Sequence, residues 1–195
     1  MEEFDIAIIG GGPAGIMAAI AASADLNVVL LEKNSSLGSK LLITGGGRCN
    51  ITNEKPIKKL LNSFHDKNFL KHSFYTFTNE MLLDLFRNRG LDFIVEDNNR
   101  VFPETEKSQD ILAILKYYLK DITIKYNYEV SDIKKEDNFI INNDIIAEKV
   151  IIATGGATFP KTGSTGDGYY LTDNPVTDIK YGLVPLITKK DLSDI

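Results

Sequence analysis

The stretch GGGPAG, residues 10–15, constrains the fold of this chain more than any other part of the sequence. It has the spacing G-x-G-x-x-G and directly follows a short apolar run, DIAII. The alanine-rich stretch PAGIMAAIAAS comes next and is typical of a helix whose first turn accepts proline. A second apolar run, NVVLLE, completes the pattern. Together these segments predict a strand–helix–strand unit with two parallel strands and a right-handed crossover.

The glycines of this motif have distinct physical roles in dinucleotide binding. Gly10 permits a tight turn, Gly12 lets a pyrophosphate approach the backbone, and Gly15 lets the helix pack closely on the strand. The helix begins with Pro13 and Ala14, where unpaired N–H groups and a partial positive charge face the phosphates. We therefore predict that these five residues form the pyrophosphate site.

Glu32 supplies the acidic group that such a site requires. It ends the second apolar run, 22 residues after Gly10. A carboxylate at this point accepts hydrogen bonds from a ribose hydroxyl and repels a 2′-phosphate. The arrangement favours FAD or NAD over NADP, and the spacing alone does not separate FAD from NAD.

Length, charge and cysteine content narrow the class of protein. The 195 residues are enough for one well-buried core, and the formal net charge of -5 argues against nucleic acid as the main partner. No apolar run approaches the ~18–20 residues that span a bilayer, and the acidic start MEEFDIAIIG is unlike a signal peptide. The single cysteine, Cys49, excludes an intrachain disulfide. We therefore expect a cytoplasmic protein with neither a nucleic-acid nor a membrane partner.

The middle of the chain, from about residue 56 to about residue 120, has a helical pattern. We predict that Asn79 caps the helix NEMLLDLFRNRG and that Ser108 caps the helix SQDILAILKYYLK. Between them, LDFIVEDNNRVFPE predicts two short strands around a turn at Asn98 and Asn99. More strands follow, ending with KVIIATGG. The chain is thus predicted to be an α/β domain with a helical insertion.

The loop KLLITGGGRCNITN, residues 40–53, holds three consecutive glycines beside Arg48 and Cys49. A phosphate cradle, a thiol active site and a simple turn all fit such a loop. Cys49 has no CxxC partner, which favours a small residue near a cofactor over a redox thiol. Arg48 can hold phosphate or flavin charge with its planar donors, or lie in solvent. Lys33 and Lys40 precede the glycines and are predicted to face the pyrophosphate.

Three stretches together resemble the BaiN-like family of flavoproteins, which includes aminoacetone oxidases and bile-acid reductases. They are the glycine loop just described, NRVFPETEKSQDIL at residues 99–112, and KVIIATGGATFPKTGSTGDGYYL at residues 149–171 with LVPL at 183–186 behind it. The resemblance implies a Rossmann-like FAD-binding fold of the glutathione-reductase type, with a parallel sheet, helices and a three-stranded β-meander. It also implies that the fingerprint at residues 10–15 binds the ADP half of FAD.

The resemblance assigns further residues to the cofactor. The equivalent of Glu32 holds the adenosine ribose, and a strand at residues 128–133 places Val130 near the adenine. VIIATGG resembles the family's "ATG" motif, so Thr154 and Gly155 are expected beside the cofactor. The flavin end is expected at the glycine loop, at Gly46, Gly47, Arg48 and Cys49. The sequence itself adds KTGSTGDG, a second glycine cluster that could contact phosphate or flavin. Its spacing does not indicate a second nucleotide site, so NAD(P)H would bind only transiently.

The chain also departs from the family pattern. Family members are about twice as long, and after the LVPL region they carry a second, largely β domain before the chain returns to complete the flavin site. Residues 1–186 are therefore expected to form an incomplete FAD-binding domain, with the start of a second domain at residues 187–195. The stretch DNPVTDIKYG, residues 173–182, replaces a histidine-containing segment, so no site residue is carried over to it.

The resulting functional hypothesis is an FAD-dependent oxidoreductase that acts on a small molecule, represented by its N-terminal half. A separate chain supplying the other half is one expected partner. The alternative is a non-catalytic dinucleotide-binding fragment, and a third hypothesis is a relative of the succinate dehydrogenase and fumarate reductase flavoproteins, which share ATGG and TGDG-like segments. The sequence does not identify the catalytic residue, and His65 and His72 lack the neighbouring carboxylates of a metal site.

Overall fold

Nine strands, six α-helices and four short 3-10 helices make up the computed structural model, which describes residues 1–172 and 174–179. The strands are β1 (Glu2–Ile9), β2 (Val28–Leu31), β3 (Thr52–Asn53), β4 (Phe93–Glu96), β5 (Arg100–Pro103), β6 (Thr123–Lys125), β7 (Ile133–Lys135), β8 (Phe139–Ile141) and β9 (Ile145–Ile152). The helices are α1 (Pro13–Ala22), α2 (Ser39–Ile43), α3 (Ile57–Leu61), α4 (Lys67–Thr76), α5 (Asn79–Arg87) and α6 (Ser108–Tyr118). The predicted LVPL segment and second-domain start lie outside these described residues, as does part of 173–182.

A six-stranded sheet with the order β6-β2-β1-β9-β8-β7 organises the domain. Its first four strands are parallel, and β1 lies between β2 and β9. Residues 6–9 of β1 and all of β2 are buried, as expected for parallel strands covered on both faces. One buried cluster includes Ile8 and Leu30 and contacts α1, α5 and α6, and the other includes Ala7, Val29 and Ile141. The predicted α/β class and parallel sheet are confirmed.

The β-meander is formed by β7, β8 and the first half of β9, which pair antiparallel in succession. The prediction of a strand over residues 128–133 is wrong, because only Ile133 of that range belongs to a strand. The backbone before it is bonded elsewhere. The Asn142 side chain accepts from the N–H of Ser131 and donates to the carbonyl of Glu129, and Tyr128 N–H donates to the carbonyl of Glu32.

The middle of the chain contains the predicted helices together with a three-stranded antiparallel sheet of order β3-β5-β4. The turn between β4 and β5 is confirmed, with Asn98 and Asn99 at positive φ. The two cap predictions are wrong. Thr78 caps α5 by accepting from the N–H of Met81, whereas Asn79 lies inside that helix.

Ser108 likewise lies inside its helix, and its hydroxyl donates to the carbonyl of Leu42 at 2.9 Å. This bond joins α6 to α2, so the residue serves tertiary packing instead of capping. Over the described ranges, no helix combines the length and apolar character that crossing a membrane requires.

Candidate functional site

A cavity of about 210 Å³ lies at the carboxyl ends of β1, β2 and β9, where open parallel sheets bind ligands. The N-terminus of α1 faces it, so unpaired N–H groups and a partial positive charge point toward its contents. Its walls are residues 9–14, 31–34, 38–40, 153–155 and 162–164, with Tyr128, Val130, Asp167 and Leu171. Two of these groups are from the predicted fingerprint and the predicted ATG segment, which are more than 130 residues apart in the chain.

The glycines of the fingerprint differ in the space around them. A Cβ on Gly15 would lie 1.8 Å from the carbonyl oxygen of Gly10, and a Cβ on Gly10 would lie 2.5 Å from that of Ala153. Both residues therefore allow close packing of strand, turn and helix. A Cβ on Gly12 would meet nothing within 4 Å. The space in front of Gly12 is thus available to a ligand instead of being filled by the protein.

Glu32 is buried, with 6% of its surface exposed, and its carboxylate belongs to the wall of the cavity. Its Oε2 accepts from the backbone N–H of Gly11 at 2.6 Å. Its Oε1 accepts from the backbone N–H and the side-chain amide of Asn34, each at 2.7 Å. These bonds fix the carboxylate beside the glycine turn, and Oε2, which accepts only one of them, keeps accepting capacity for a ligand hydroxyl.

Residues 158–168, which we call the strap, form part of the cavity wall and are bonded to two lysines of that wall. Lys33 Nζ donates to Thr165 Oγ1 and Asp167 Oδ2, both at 2.6 Å. Lys40 Nζ donates to the carbonyl of Thr158 at 2.8 Å. Although partial burial opposes it, hydrogen bonds from Lys33 and Thr165 lower the pKa of Asp167. The carboxylate is therefore charged at neutral pH, and its ion pair with Lys33 attaches the strap to the end of β2.

A second cavity of about 500 Å³ adjoins the first, and the two share Pro13, Ala14 and Lys40. Most of its wall is apolar, from α1, α2, α5 and α6, and its remaining wall includes Thr44 and residues 49–51. An elongated ligand that begins in the first cavity can thus continue past the start of α1 into an apolar space beside the glycine loop.

Cys49 lines this second cavity, is 1% exposed and has a positive φ of 63°. Burial raises the pKa of its thiol to about 11. The thiol is therefore protonated at neutral pH, which disfavours the nucleophile that the sequence left open and fits the small packing residue that it favoured.

Cys49 is accordingly expected to react slowly with thiol reagents. At pH 8 a thiol of pKa about 11 is only ~0.1% ionised, and the cavity wall shields it further. We expect labelling by a disulfide reagent at pH 8 to be at least about 50-fold slower in the folded protein than in guanidinium, with the folded rate rising up to pH 10. A fast, pH-independent reaction of the folded protein would show that the thiol is exposed.

Arg48 does not reach either cavity. Its guanidinium lies 4.3 Å from the centre of the Phe102 ring and pairs with Glu96 at 2.6 Å and Glu106 at 2.9 Å. These hydrogen bonds raise the pKa of Arg48 and lower that of Glu96. Arg48 therefore anchors the glycine loop to the hairpin of β4 and β5, a role for which sequence spacing gave no signal.

The structure brings together most of the predicted site residues. Those that line the first cavity are Gly10, Gly12, Pro13, Ala14, Glu32, Lys33, Lys40, Val130, Thr154 and Gly155. Gly15 supports them from behind, Cys49 lines the second cavity, and Gly46, Gly47 and Arg48 line neither. Asn34 and Tyr128 also form the wall, although the sequence did not indicate them; Tyr128 donates to Asp144, and burial with this contact raises its pKa to about 12. The ligand roles themselves stay predictions.

Comparison with known proteins adds the family. The sequence of residues 4–181 matches the protein family described as "HI0933-like protein Rossmann domain". A 3-dehydro-bile acid delta(4,6)-reductase of Clostridium scindens is 32% identical over 95% of this chain and 48% of its own length. A ribosomal RNA dihydrouridine synthase of Escherichia coli is 30% identical over 98% of this chain and 50% of its own length. The chain thus spans about half the length of these curated relatives.

Solved structures share the fold. A flavocytochrome c3 fumarate reductase superposes with a TM-score of 0.59 at 20% identity, over 87% of this chain and 40% of its own. A 3-ketosteroid-delta4-(5alpha)-dehydrogenase from Rhodococcus jostii also has a TM-score of 0.59, at 15% identity, over 80% of this chain and 46% of its own. At such identities the likeness concerns the fold alone, and it confirms the predicted Rossmann-like fold.

Proposed function

The chain belongs to the family of HI0933-like Rossmann domains, and from that premise we propose that it binds FAD and forms the cofactor-binding part of an oxidoreductase. The observation that carries the proposal is the open space at Gly12, between the N-terminus of α1 and the buried carboxylate of Glu32. This arrangement accepts a pyrophosphate and a ribose hydroxyl side by side. The adjoining apolar cavity provides space for the rest of the cofactor.

In this proposal each group of residues has one task. Gly12 and the first turn of α1 bind the pyrophosphate, Glu32 accepts from the adenosine ribose, and Val130 contacts the adenine. The strap covers the cofactor, excludes water and orients it through Lys33 and Asp167. Bound FAD supplies the hydride or electron transfer, since the protein's part in such enzymes is binding, orientation and electrostatics.

The two relatives are a bile-acid reductase and a dihydrouridine synthase. We propose that this chain likewise serves a reduction, with a small molecule as substrate and NAD(P)H as a transient reductant. The part of the relatives that this chain does not span would close the flavin site, and a separate chain would supply that part. The protein would act in the cytoplasm. The second candidate is a dinucleotide-binding fragment without turnover.

Reconstitution tests the cofactor. The protein is unfolded, stripped of ligand, refolded with FAD, FMN or riboflavin, desalted and examined for the visible absorption of bound flavin. We expect retention of FAD only, because FMN and riboflavin lack the ADP half that the first cavity is built to hold. A protein that refolds but retains none of the three contradicts the proposal. FAD retention without NAD(P)H-dependent reduction supports the fragment over the enzyme.

The strap makes a separate prediction about cofactor release. Lys33→Met and Asp167→Asn each break the ion pair that attaches the strap. The side chains of Lys33 and Asp167 are only 22% and 26% exposed. We expect FAD dissociation to accelerate about fivefold in either variant, corresponding to ~1 kcal/mol, with no further loss in the double variant. Arg87→Met is the matched control, because it breaks ion pairs to Glu80 and Asp84 on α5. Stopped-flow release that is as slow in the three strap variants as in the wild type and in Arg87→Met would exclude a holding role.

A further inference from the structure

Strand β9 has a free edge along its second part, residues 148–152, which we call the β9 edge. β8 pairs with only the first three residues of β9, whereas β1 pairs with it from its first residue to its last. The N–H of Ala153 donates to the carbonyl of Ile9, and alternate residues of a strand direct their backbone groups to opposite neighbours. The N–H groups of Val150 and Ile152 therefore point away from β1. Among the described residues, no strand pairs with β9 on that side of them.

The side chains along the β9 edge are more exposed than their sequence predicts. VIIA, residues 150–153, is a continuous apolar run of the kind that parallel strands show when both faces of the sheet are covered. Such runs are buried in β1 and β2, but Val150 and Ile152 are only half-buried and Ile151 is 36% exposed. This edge of the sheet therefore has the composition of a covered strand without a cover among the residues that the structure describes.

Helix α1 shows the same mismatch between composition and burial. Its sequence, PAGIMAAIAA, has no polar or charged side chain, as is typical of a helix buried on all sides, yet only three of its ten residues are buried. A Cβ on Gly15 would lie 3.4 Å from that of Ala153, so this side of α1 faces the end of β9. Ala18 and Ala22 follow Gly15 at helical spacing and are only half-buried. Such small side chains allow a second element to pack closely against α1.

We propose that the β9 edge and the adjoining side of α1 form the docking site for a separate chain, which adds a β-strand to β9 and packs an apolar helix beside α1. Strand addition pairs the free N–H and C=O groups of an edge, and the helix buries the apolar side chains that the edge exposes. The partner is the part of the relatives that this chain, at about half their length, does not span. The inference rests on the separate chain of the proposed function, but it does not require FAD.

Two observations favour this partner over a second copy of the chain. First, β9 leads directly into Ala153, Thr154 and Gly155, which line the first cavity. A strand added to β9 therefore brings the partner to the site that it is proposed to close. Second, pairing of two identical five-residue edges would bury far less than the ~1,200 Å² of a stable interface. Glu148 and Lys149 are both exposed on that edge, and such charges oppose its pairing with a copy of itself.

The test is amide hydrogen exchange, followed by NMR, in the chain alone and with a probe. The probe is the part of the Clostridium scindens relative that this chain does not span. In the chain alone, the amides of Val150 and Ile152 should exchange at least about 100-fold faster than that of Ile151, whose N–H faces β1. The probe should bind with a dissociation constant of about 10 µM or tighter, measured by calorimetry. It should also slow exchange at Val150 and Ile152 by at least about tenfold.

Two variants and a control locate the surface. Val150→Pro removes an N–H that β1 does not use, so the free chain should tolerate it, but an added strand loses a hydrogen bond and affinity should fall about tenfold or more. Ile151→Lys should weaken binding to a similar extent, because it places a charge under the docked helix. The matched control is Val95→Lys, at a residue 46% exposed on β4 at the edge of the other sheet, which should change affinity less than about twofold. Thermal melting shows that each variant is folded.

Three results would overturn the proposal. The first is exchange at Val150 and Ile152 as slow as at Ile151 in the chain alone, which would mean that the edge is already covered. The second is a dimer of the chain alone that Val150→Pro converts to a monomer, which would identify a second copy as the partner. The third is a probe that does not bind up to about 100 µM, or that binds without slowing exchange at these amides. FAD retention, measured on the chain alone, distinguishes failure of this docking site from failure of the proposed cofactor.

Discussion

The Gly12→Val variant is expected to fold normally and to lose FAD. A valine side chain at this position meets no protein atom within 4 Å of its Cβ, and the backbone at Gly12 (φ -79°, ψ 178°) is extended, a conformation that valine adopts readily. Its methyl groups would instead occupy the space in front of the first turn of α1. We expect a loss of FAD affinity of about 100-fold or more, with the free energy of unfolding of the apoprotein changed by less than about 0.5 kcal/mol.

Two measurements separate these effects. Urea unfolding of the FAD-free protein gives the stability, and titration with FAD followed by flavin fluorescence gives the affinity. Retention of FAD at wild-type affinity would mean that the pyrophosphate does not pass Gly12, and the proposed site would then be wrong. Gly156→Val is a suitable control, because a Cβ there would have only an ordinary contact at 3.4 Å with the Tyr169 hydroxyl.

The Gly15→Val variant, unlike Gly12→Val, is expected to lose folding stability even without the cofactor. A Cβ at Gly15 would lie 1.8 Å from the carbonyl oxygen of Gly10 and 3.0 Å from its carbon, so the helix must move away from the strand. Since both atoms are backbone, no side-chain rotation relieves the clash. We expect a destabilisation of about 3 kcal/mol or more, measured on the apoprotein, in which no cofactor contact contributes.

A melting temperature of apo Gly15→Val close to that of the wild type would contradict the close strand–helix packing. Compared side by side, the two glycine variants distinguish a residue that leaves space for a ligand from one that leaves space for the protein itself. Motif spacing alone treats both positions alike.

The first part of the fold was predictable because its determinants are local. The apolar runs before Gly10 and before Glu32 are continuous, as buried parallel strands require, and the fingerprint between them needs few other contacts. The meander was predicted in kind, but not in its boundaries. The extended backbone around Val130 bonds to the Asn142 side chain and to the Glu32 carbonyl, and such distant partners leave no trace in a strand pattern.

The candidate site was likewise predictable where its residues are close in the sequence, and not where they are distant. Its pyrophosphate end follows from the fingerprint, whereas the partners of Arg48 do not, since Glu96 and Glu106 reach it only through the hairpin of β4 and β5. The ion pair between Lys33 and Asp167 joins residues 134 positions apart. The sequence shows that each lies near a glycine-rich segment, but it does not show that the two segments are in contact. The net charge of -5 likewise averages over regions of opposite sign, because residues 55–77 carry a net charge of +4.

The pairing of β1 with β9 sets the order of events when the polypeptide is made. The glycine turn and Glu32 belong to the first 32 residues, but the opposite wall of their cavity begins at Ala153. A ribosome adds about 5–20 residues per second, so the glycine turn and Glu32 exist for roughly 6 to 24 seconds before the opposite wall of the cavity is synthesised. The apolar β1–β2 pair needs protection from solvent during that interval. A ligand that contacts both walls can bind only after β9 has paired with β1.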